Sequence, residues 1–328
     1  MNLVKREKTI SDFSGNFQVL EFSTDFSMDW EKLISEWIAY ADLRSPRTQK
    51  TYLTALREFF KFLGQNQILK PNRENVITWR KKLKAEGKSS ATINSYLIGS
   101  RRFFEFLEEQ KIYPNIFKTV KGEKISSTHK KDNLTEEQAI RLLESINVKS
   151  TQGKRDYAMI ALMLSCGLRD IEVRRANVED IRPLGDEVVL YVHGKGKSEK
   201  DDFVILPPEV EIAIRDYWVE RAELRENSPI FVSTSNRSLD QRLSERTISK
   251  IVKTRFRNIG LNSKRLTAHS LRHTAATLNM MNGGTLEETQ AAMRHKNIQT
   301  TMIYLHHIEK SKNTSTKRVA GLLFKKQQ

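Results

Sequence analysis

Cysteine is nearly absent. Cys166 is the only one in 328 residues, which excludes an internal disulfide and suits a reducing cytoplasm. Behind the apolar run Ile160-Ala161-Leu162-Met163-Leu164 it is expected to be a small core residue, not a redox centre. No stretch of about 18 apolar residues occurs, so no membrane span is expected. Met1 to Ser11 is basic with no apolar segment behind it, so no secretory leader is expected either. Acidic residues are in the minority: 40 stand against 56 lysines and arginines, a formal charge of +16. Such an excess marks a polyanionic partner, and nucleic acid is the commonest for a soluble protein. The bland alternative, on charge alone, is a merely basic cytosolic protein.

The chain is long enough for two domains, each with its own core. Residues 1–27 show no sustained period and read as an N-terminal extension. From Asp29 one helical face carries Trp30, Leu33, Ile34, Trp37 and Ile38. Ser45-Pro46 opens a second helix, a capping serine before a proline at the first helical position. A third is expected around Val76 to Glu86, ending at Gly87, and a fourth from Ser89-Ser90 to about Gln110. The second and fourth repeat at an offset of 44. Ser45, Thr48, Tyr52, Leu53, Arg57, Phe59, Phe60, Phe62 and Leu63 recur as Ser89, Thr92, Tyr96, Leu97, Arg101, Phe103, Phe104, Phe106 and Leu107. Two helix hairpins in a small four-helix domain, residues 28–117, are expected. Their aromatics sit at core spacing and read as packing, not base-stacking platforms. Arg44, Arg47, Lys50, Arg57, Arg101 and Arg102, with Lys61, Lys81, Lys82 and Lys88, form a candidate phosphate-facing surface, against a solvated helix face as the plain alternative.

Periodicity fails between 118 and 132, where Lys118, Lys121, Lys124, Lys130 and Lys131 gather among Ser, Thr and Gly. This reads as a flexible basic linker, with Lys121 and Lys124 facing phosphate, able to pass around a duplex. A second domain, 133–309, is expected to open with a capping box on Thr135. A helix over Tyr157 to Ser165 and two strands, Val188 to Val192 and Phe203 to Leu206, follow. The polar stretch Gly194 to Lys200 is the hairpin tip between them. Helices are expected over Pro208 to Leu224, Glu245 to Ile259, Ser270 to Met281 and Thr285 to Met293, with a last across Tyr304. The tail, 310–328, is basic and ends in Val319, Leu322, Leu323 and Phe324, an apolar patch suited to docking. The fold class is thus mainly α with a small β-sheet (α+β).

Two arginines, a lysine, two histidines and a tyrosine in that second domain carry chemistry. Arg169 lies in Cys166-Gly167-Leu168-Arg169-Asp170-Ile171-Glu172, and Lys195 in His193-Gly194-Lys195-Gly196-Lys197. His269-Ser270-Leu271-Arg272-His273, then His295 and Tyr304, follow. A DNA phosphodiester repels nucleophiles, so cleavage needs cations where charge grows and an acid for the departing alkoxide. Arginine keeps its proton and meets two phosphate oxygens at once, so Arg169 and Arg272 are the expected clamp. His269, Arg272 and His273 share a face at a helix start. Lys195, on a hairpin tip, can reach the leaving 5′-oxygen, and Lys197 is near enough to compete for that role or to contact DNA. Tyr304 is the expected nucleophile, forming a phosphotyrosyl bond that needs no metal, cofactor or ATP for rejoining.

In order and interval this set resembles the tyrosine recombinase (phage integrase) family. That family has an Arg in Gly-Leu-Arg-x-x-Glu, a Lys in a β-hairpin, His-x-x-Arg, a second His or Trp, and the Tyr. Here 26 residues separate His269 from His295 and nine more lead to Tyr304; the likeness covers roughly residues 29 to 310. It implies an all-helical core-binding domain followed by a catalytic domain. It implies proton handling by His269, phosphate binding by His295 and buttressing by Glu172, with His273 in support. It further implies a 3′-phosphotyrosyl intermediate, a Holliday junction, and a tetramer in which the tail helix docks on a neighbouring protomer. Double-stranded DNA is the implied partner, with an accessory DNA-bending protein as a further candidate. The implied place is the cytoplasmic nucleoid. Mobile-element integration and excision is the favoured role, Xer-type dimer resolution the alternative. A type IB topoisomerase-like enzyme and a non-catalytic DNA-binding regulator remain as other classes.

One departure stands out. The family usually has Leu-Gly before the second histidine, where this chain has Met293-Arg294, and Arg294 is a candidate for an added phosphate contact. A nucleotide P-loop at Gly194 to Ser198 is disfavoured because Tyr191 stands where that motif needs glycine. A zinc site on His269, His273 and His295 is a weaker reading, since Ser270 replaces the metalloprotease glutamate. His306 and His307 read as surface or packing residues.

Overall fold

The computed structural model describes residues 30–41, 43, 45–124, 132–194, 200, 202–312 and 314–324. The 1–27 extension, Arg44, the later linker and the hairpin tip with Lys195 and Lys197 lie outside these residues. The chain divides into two compact units, Met1–Ser127 and Thr128–Gln328, each with its own apolar core.

The first unit contains α1 (Trp30–Tyr40), α2 (Pro46–Gln65), α3 (Arg73–Ala85) and α4 (Ser90–Glu109). The internal repeat is visible in its caps: Ser45 Oγ accepts from Thr48 N at 3.4 Å and Ser89 Oγ from Thr92 N at 3.1 Å. It is visible in the core as well, where Tyr52 stacks on Trp37 at 6.1 Å and Tyr96 on Trp79 at 6.3 Å. A Cβ at Gly99 would stand 2.9 Å from Tyr52 Cδ1, so glycine is what lets α4 approach α2. Phe59 meets Trp79 and Phe117 edge-on, both at 5.0 Å. Such pairs add about 0.5–1.5 kcal/mol each beyond burial, and the aromatics are core.

The start of the expected linker differs from a free tether. Phe117 and Val120 are buried in the first core. Arg101 donates to the carbonyls of Phe117 (3.1 Å) and Val120 (2.8 Å), and Asn94 pairs with the backbone of Glu123. Residues 118–124 are therefore fastened to this unit, because buried carbonyls need donors and two helix side chains supply them.

The second unit holds α5 (Glu136–Glu144), α6 (Thr151–Ser165), α7 (Asp170–Arg175), then β1 (Ile181–Leu184), β2 (Glu187–Val192) and β3 (Asp202–Ile205). It continues with α8 (Pro208–Val219), α9 (Glu245–Asn258), α10 (Ala268–Met281), α11 (Leu286–Ala292), α12 (Gln299–Lys312) and α13 (Ser315–Leu323). The Thr135 capping box is closed by Gln138, not by an acid: Thr135 Oγ1 accepts from Gln138 N and Gln138 Oε1 from Thr135 N. The sheet has three antiparallel strands in the order β1-β2-β3, one more than the pattern suggested. β1 escaped notice because it is mostly exposed and contains Pro183, which only an edge strand tolerates. α8 stops at Val219, short of the expected Leu224.

Apolar α6 is central to this core, with Ala158, Met159, Ile160, Leu162 and Met163 buried. Buried Asp156 on the same helix takes Arg155 on one oxygen and Arg255 of α9 on the other (2.7 and 2.6 Å). Leu134 N donates to Thr274 Oγ1 on α10 at 2.9 Å, joining the first buried residue of the unit to the helix that carries the candidate site. Cys166 is buried, and burial pushes its thiol up to about 12. Val319, Leu322 and Leu323 on α13 and Phe324 at its C-cap are all exposed, Phe324 to 79%. Among the described residues no helix is long and apolar enough to cross a membrane.

Candidate active site

α6 is capped at Cys166 and the chain turns through Gly167 at φ +59°. A Cβ there would clash with the Met293 side chain, so glycine serves both the turn and the close approach. The turn delivers Arg169 to the N-cap of α7. Glu172, 1% exposed, accepts from Arg169 Nη1 on Oε1 at 2.6 Å and from Arg169 N on Oε2 at 2.9 Å. Arg294 reaches the same Oε2 at 2.8 Å from 122 residues away. Burial alone would raise the Glu172 carboxyl; Arg294, the Arg169 backbone N–H, Arg169 and Arg272 overcome it and hold the group below its ordinary value.

α10 brings His269, Arg272 and His273 to the same place. Arg272, 1% exposed, donates to the carbonyls of Gly167 and Met293. A guanidinium has five N–H donors, so three remain. Desolvation, with Arg169 beside it, brings its pKa down to about 9, and it stays charged at neutral pH. His273 Nδ1 lies 2.5 Å from Tyr304 Oη, and His269 packs edge-on against the His273 ring at 4.5 Å. In the tautomer protonated at Nε2, Nδ1 accepts the phenolic proton.

Tyr304, on α12, is 3% exposed. Burial pushes its phenol up to about 12, while Arg272 and Arg169 pull the other way. His295 lies nearly parallel to its ring, 6.3 Å away, with Nδ1 2.9 Å from Thr301 Oγ1. Burial, then the charges of Arg272 and Arg169, depress His295 to about 4, so its imidazole is neutral at pH 7. Arg169, Glu172, Arg272, His273, His295 and Tyr304 thus converge with His269 around one buried carboxylate and one buried phenol.

The chain as a whole has counterparts among known proteins. The model of the phage integrase family matches residues 132–311, and that of the phage integrase N-terminal SAM-like domain matches 36–111. The chain belongs to the phage integrase family. It is a tyrosine recombinase, an enzyme of site-specific recombination on DNA. A tyrosine recombinase of Synechococcus elongatus is 29% identical over 310 residues, 90% of this chain and 94% of that protein. Tyrosine recombinase XerC of Thermodesulfovibrio yellowstonii is 31% identical over 273 residues, 80% and 86% of the two chains. Among solved structures, the fold is similar to the XerH recombinase bound to palindromic difH substrate in a post-cleavage complex. That likeness has a TM-score of 0.69 at 21% identity, over 84% of this chain and 79% of that one. A lambda integrase dimer bound to a COC′ core site matches at 0.65 and 15%, over 83% and 96%.

Outside the centre of this recombinase, the basic candidates separate. Arg47, Lys50, Arg102, Lys121 and Lys124 are exposed, Arg102 paired with Glu105 at 3.1 Å. Arg57 is half-buried. Arg101 is half-buried, with two of its donors taken by carbonyls, as described above. Arg294 points inward, not outward as an added phosphate contact would. Among the described residues no group of three or more His, Cys, Asp or Glu is placed to hold a metal. The inward Arg294 and the His273–Tyr304 bond were not readable in the motif. The one signal was Arg294 itself, a bulky residue where glycine is usual.

Proposed function

We propose that this recombinase cleaves and rejoins specific DNA sites through Tyr304. The observation that carries the reading is a buried phenol hydrogen-bonded to His273 beside Arg169 and Arg272. Tyr304 Oη attacks phosphorus, the Oη–P bond forms and the P–O5′ bond breaks, leaving a 3′-phosphotyrosyl link. The phenol, held near 12 by burial, gives up its proton as it attacks, to His273 with His269 behind it. Arg169 and the three remaining donors of Arg272 stabilise the charge on the phosphorane. His295, neutral, donates a hydrogen bond to a phosphate oxygen, and Lys195 protonates the departing 5′-oxygen, with Lys197 as its competitor. Attack by the freed hydroxyl of a partner strand reverses the steps, and two rounds pass through a Holliday junction.

DNA binding draws on Arg47, Lys50, Arg102, Lys121 and Lys124, and on Arg44 and Arg57 as further candidates. The working assembly is a homotetramer closed by α13, whose apolar face docks on the neighbouring protomer; an accessory DNA-bending protein completes it. The role proposed is integration and excision of a mobile element in the cytoplasm. Resemblance over most of the chain to proteins named XerC supports dimer resolution as the second reading. Sequencing DNA trapped as covalent adduct, with Tyr304→Phe as control, tests all of this. Recurrent sites at element ends favour integration, and one site near the replication terminus favours resolution. Adducts on every sequence point to a topoisomerase, and none at all to a binder. Removing Val319 to Gln328 should leave cleavage at single sites and abolish synapsis; normal recombination by that variant would refute the docking role.

A further inference from the structure

We propose that Arg294 is a positioning residue for DNA cleavage, acting through Glu172 to fix the direction of Arg169; the proposal depends on the recombinase reading above. Three observations converge on it. Arg294 adopts φ +52°, a left-handed conformation that few residues other than glycine and asparagine take without cost. Its side chain is only 5% exposed, so this is not a surface cation. Its terminal nitrogens bind Glu172 Oε2 at 2.8 Å and the Ala292 carbonyl at 2.7 Å. A backbone arrangement suited to glycine is kept while a charged side chain is buried beneath the site.

The geometry explains what the contact does. Glu172 gives Oε1 to the Arg169 guanidinium, and Oε2 to both Arg169 N and Arg294. Arg169 alone engages both oxygens, so without a second anchor the carboxylate and the guanidinium could swing together. Held on both oxygens from two elements, it gives the Arg169 fork one direction. The same turn presents His295 to the Tyr304 ring, so one short segment aligns two parts of the centre. Charge follows the same logic: Arg169, Arg272 and Arg294 against Glu172 leave a net two positive charges in the pocket. As the neutral phenol passes its proton to His273 and attacks, the single negative charge of the diester becomes two on the phosphorane, where the guanidinium charges are concentrated.

The groups facing Glu172 are Arg169 from the α7 cap, Arg272 from α10 and Arg294 from the turn after α11, with Cys166 and His295 near Arg294. Taking Arg294 away removes the largest effect opposing desolvation of that carboxylate. Its pKa then rises, and wherever the carboxyl becomes neutral it holds Arg169 less firmly.

Arg294→Gly and Arg294→Lys in the full-length chain test the proposal. Glycine relieves the backbone as it removes the charge; lysine keeps the charge and the strain but loses the fork. The rate of adduct formation on fragmented host DNA is measured across pH, with retention of the same fragments in gel shifts and thermal melting. Arg294→Gly should melt close to wild type and form adduct about 10- to 100-fold more slowly at neutral pH, as displacement of a reacting group predicts. Its rate should recover as pH rises, with duplex retention little changed, and Arg294→Lys should regain part of the rate. A wild-type rate for Arg294→Gly at every pH would overturn the proposal. So would a loss that is flat with pH and tracks a lower melting temperature, which marks a structural role. Absence of adduct from the wild type would instead sink the recombinase reading.

Discussion

The two units bury different things. In the first, the buried side chains are aromatic and aliphatic, and Ser100 and Asn115 are its only buried polar residues among those described. In the second, Arg155, Asp156, Glu172, Asp180, Arg272 and His273 are all buried. Burying charge costs several kcal/mol per ion unless it is paired and hydrogen-bonded, and Asp156 and Glu172 each collect two arginines. The first unit is organised by packing and keeps its free charge outside. The second bears the cost of buried ions, and around Glu172 that cost sets up a site.

Each unit has one residue whose loss should be felt most. Trp79→Ala should remove about 3–5 kcal/mol of stability, with hydrogen exchange speeding up in α1–α4. Equal acceleration in α6 and α10 would mean that the two cores are not independent. Next, Arg272→Ala should slow adduct formation about 10²–10³-fold, as loss of one oxyanion donor does. Loss of the folded state, seen by circular dichroism, would recast that arginine as structural first.

How much of this was legible beforehand follows the same division. The first unit was readable because a helical core obeys local period: Ser45, Tyr52 and Phe59 announce their partners 44 residues on. The order of Arg169, His269, Arg272, His295 and Tyr304 was readable because recombinase chemistry fixes residue types and intervals. What escaped reading depends on acceptors far away in sequence. Arg101 looked like a surface cation, yet it meets the carbonyls of Phe117 and Val120. Arg294 looked like a DNA contact, yet its partner is Glu172. A cation's charge is visible in a sequence; the carbonyl or carboxylate that turns it inward is not. β1 was missed for a related reason, since an exposed edge strand with a proline has no apolar alternation to show.

A finer test is pH. His295 has a folded pKa near 4 against an ordinary 6.5, so the unfolded chain takes up the proton first. Stability present above pH 6.5 should fall as pH drops toward 4. Glu172, also depressed, adds a loss in the same direction at lower pH. In denaturant titrations His295→Gln should flatten the first part of that slope; an unchanged slope would place the titrating group elsewhere. The smallest effects separate outward from inward cations. Arg47→Ala and Lys50→Ala should each lower the salt slope of DNA binding by about 1. Arg101→Ala should leave that slope alone and cost about 1–3 kcal/mol of stability, because two carbonyls lose their donor. A lowered slope for Arg101→Ala would return it to the DNA-facing set.

The bond from Leu134 N to Thr274 Oγ1 has a mechanical meaning. Thr274 follows His273 directly, and His273 holds the Tyr304 hydroxyl. The chain therefore enters the second unit through a fastening one residue from the group that steadies the nucleophile. Tension along residues 132–134 is borne by α10 at that point, as a rope's load is borne by its cleat.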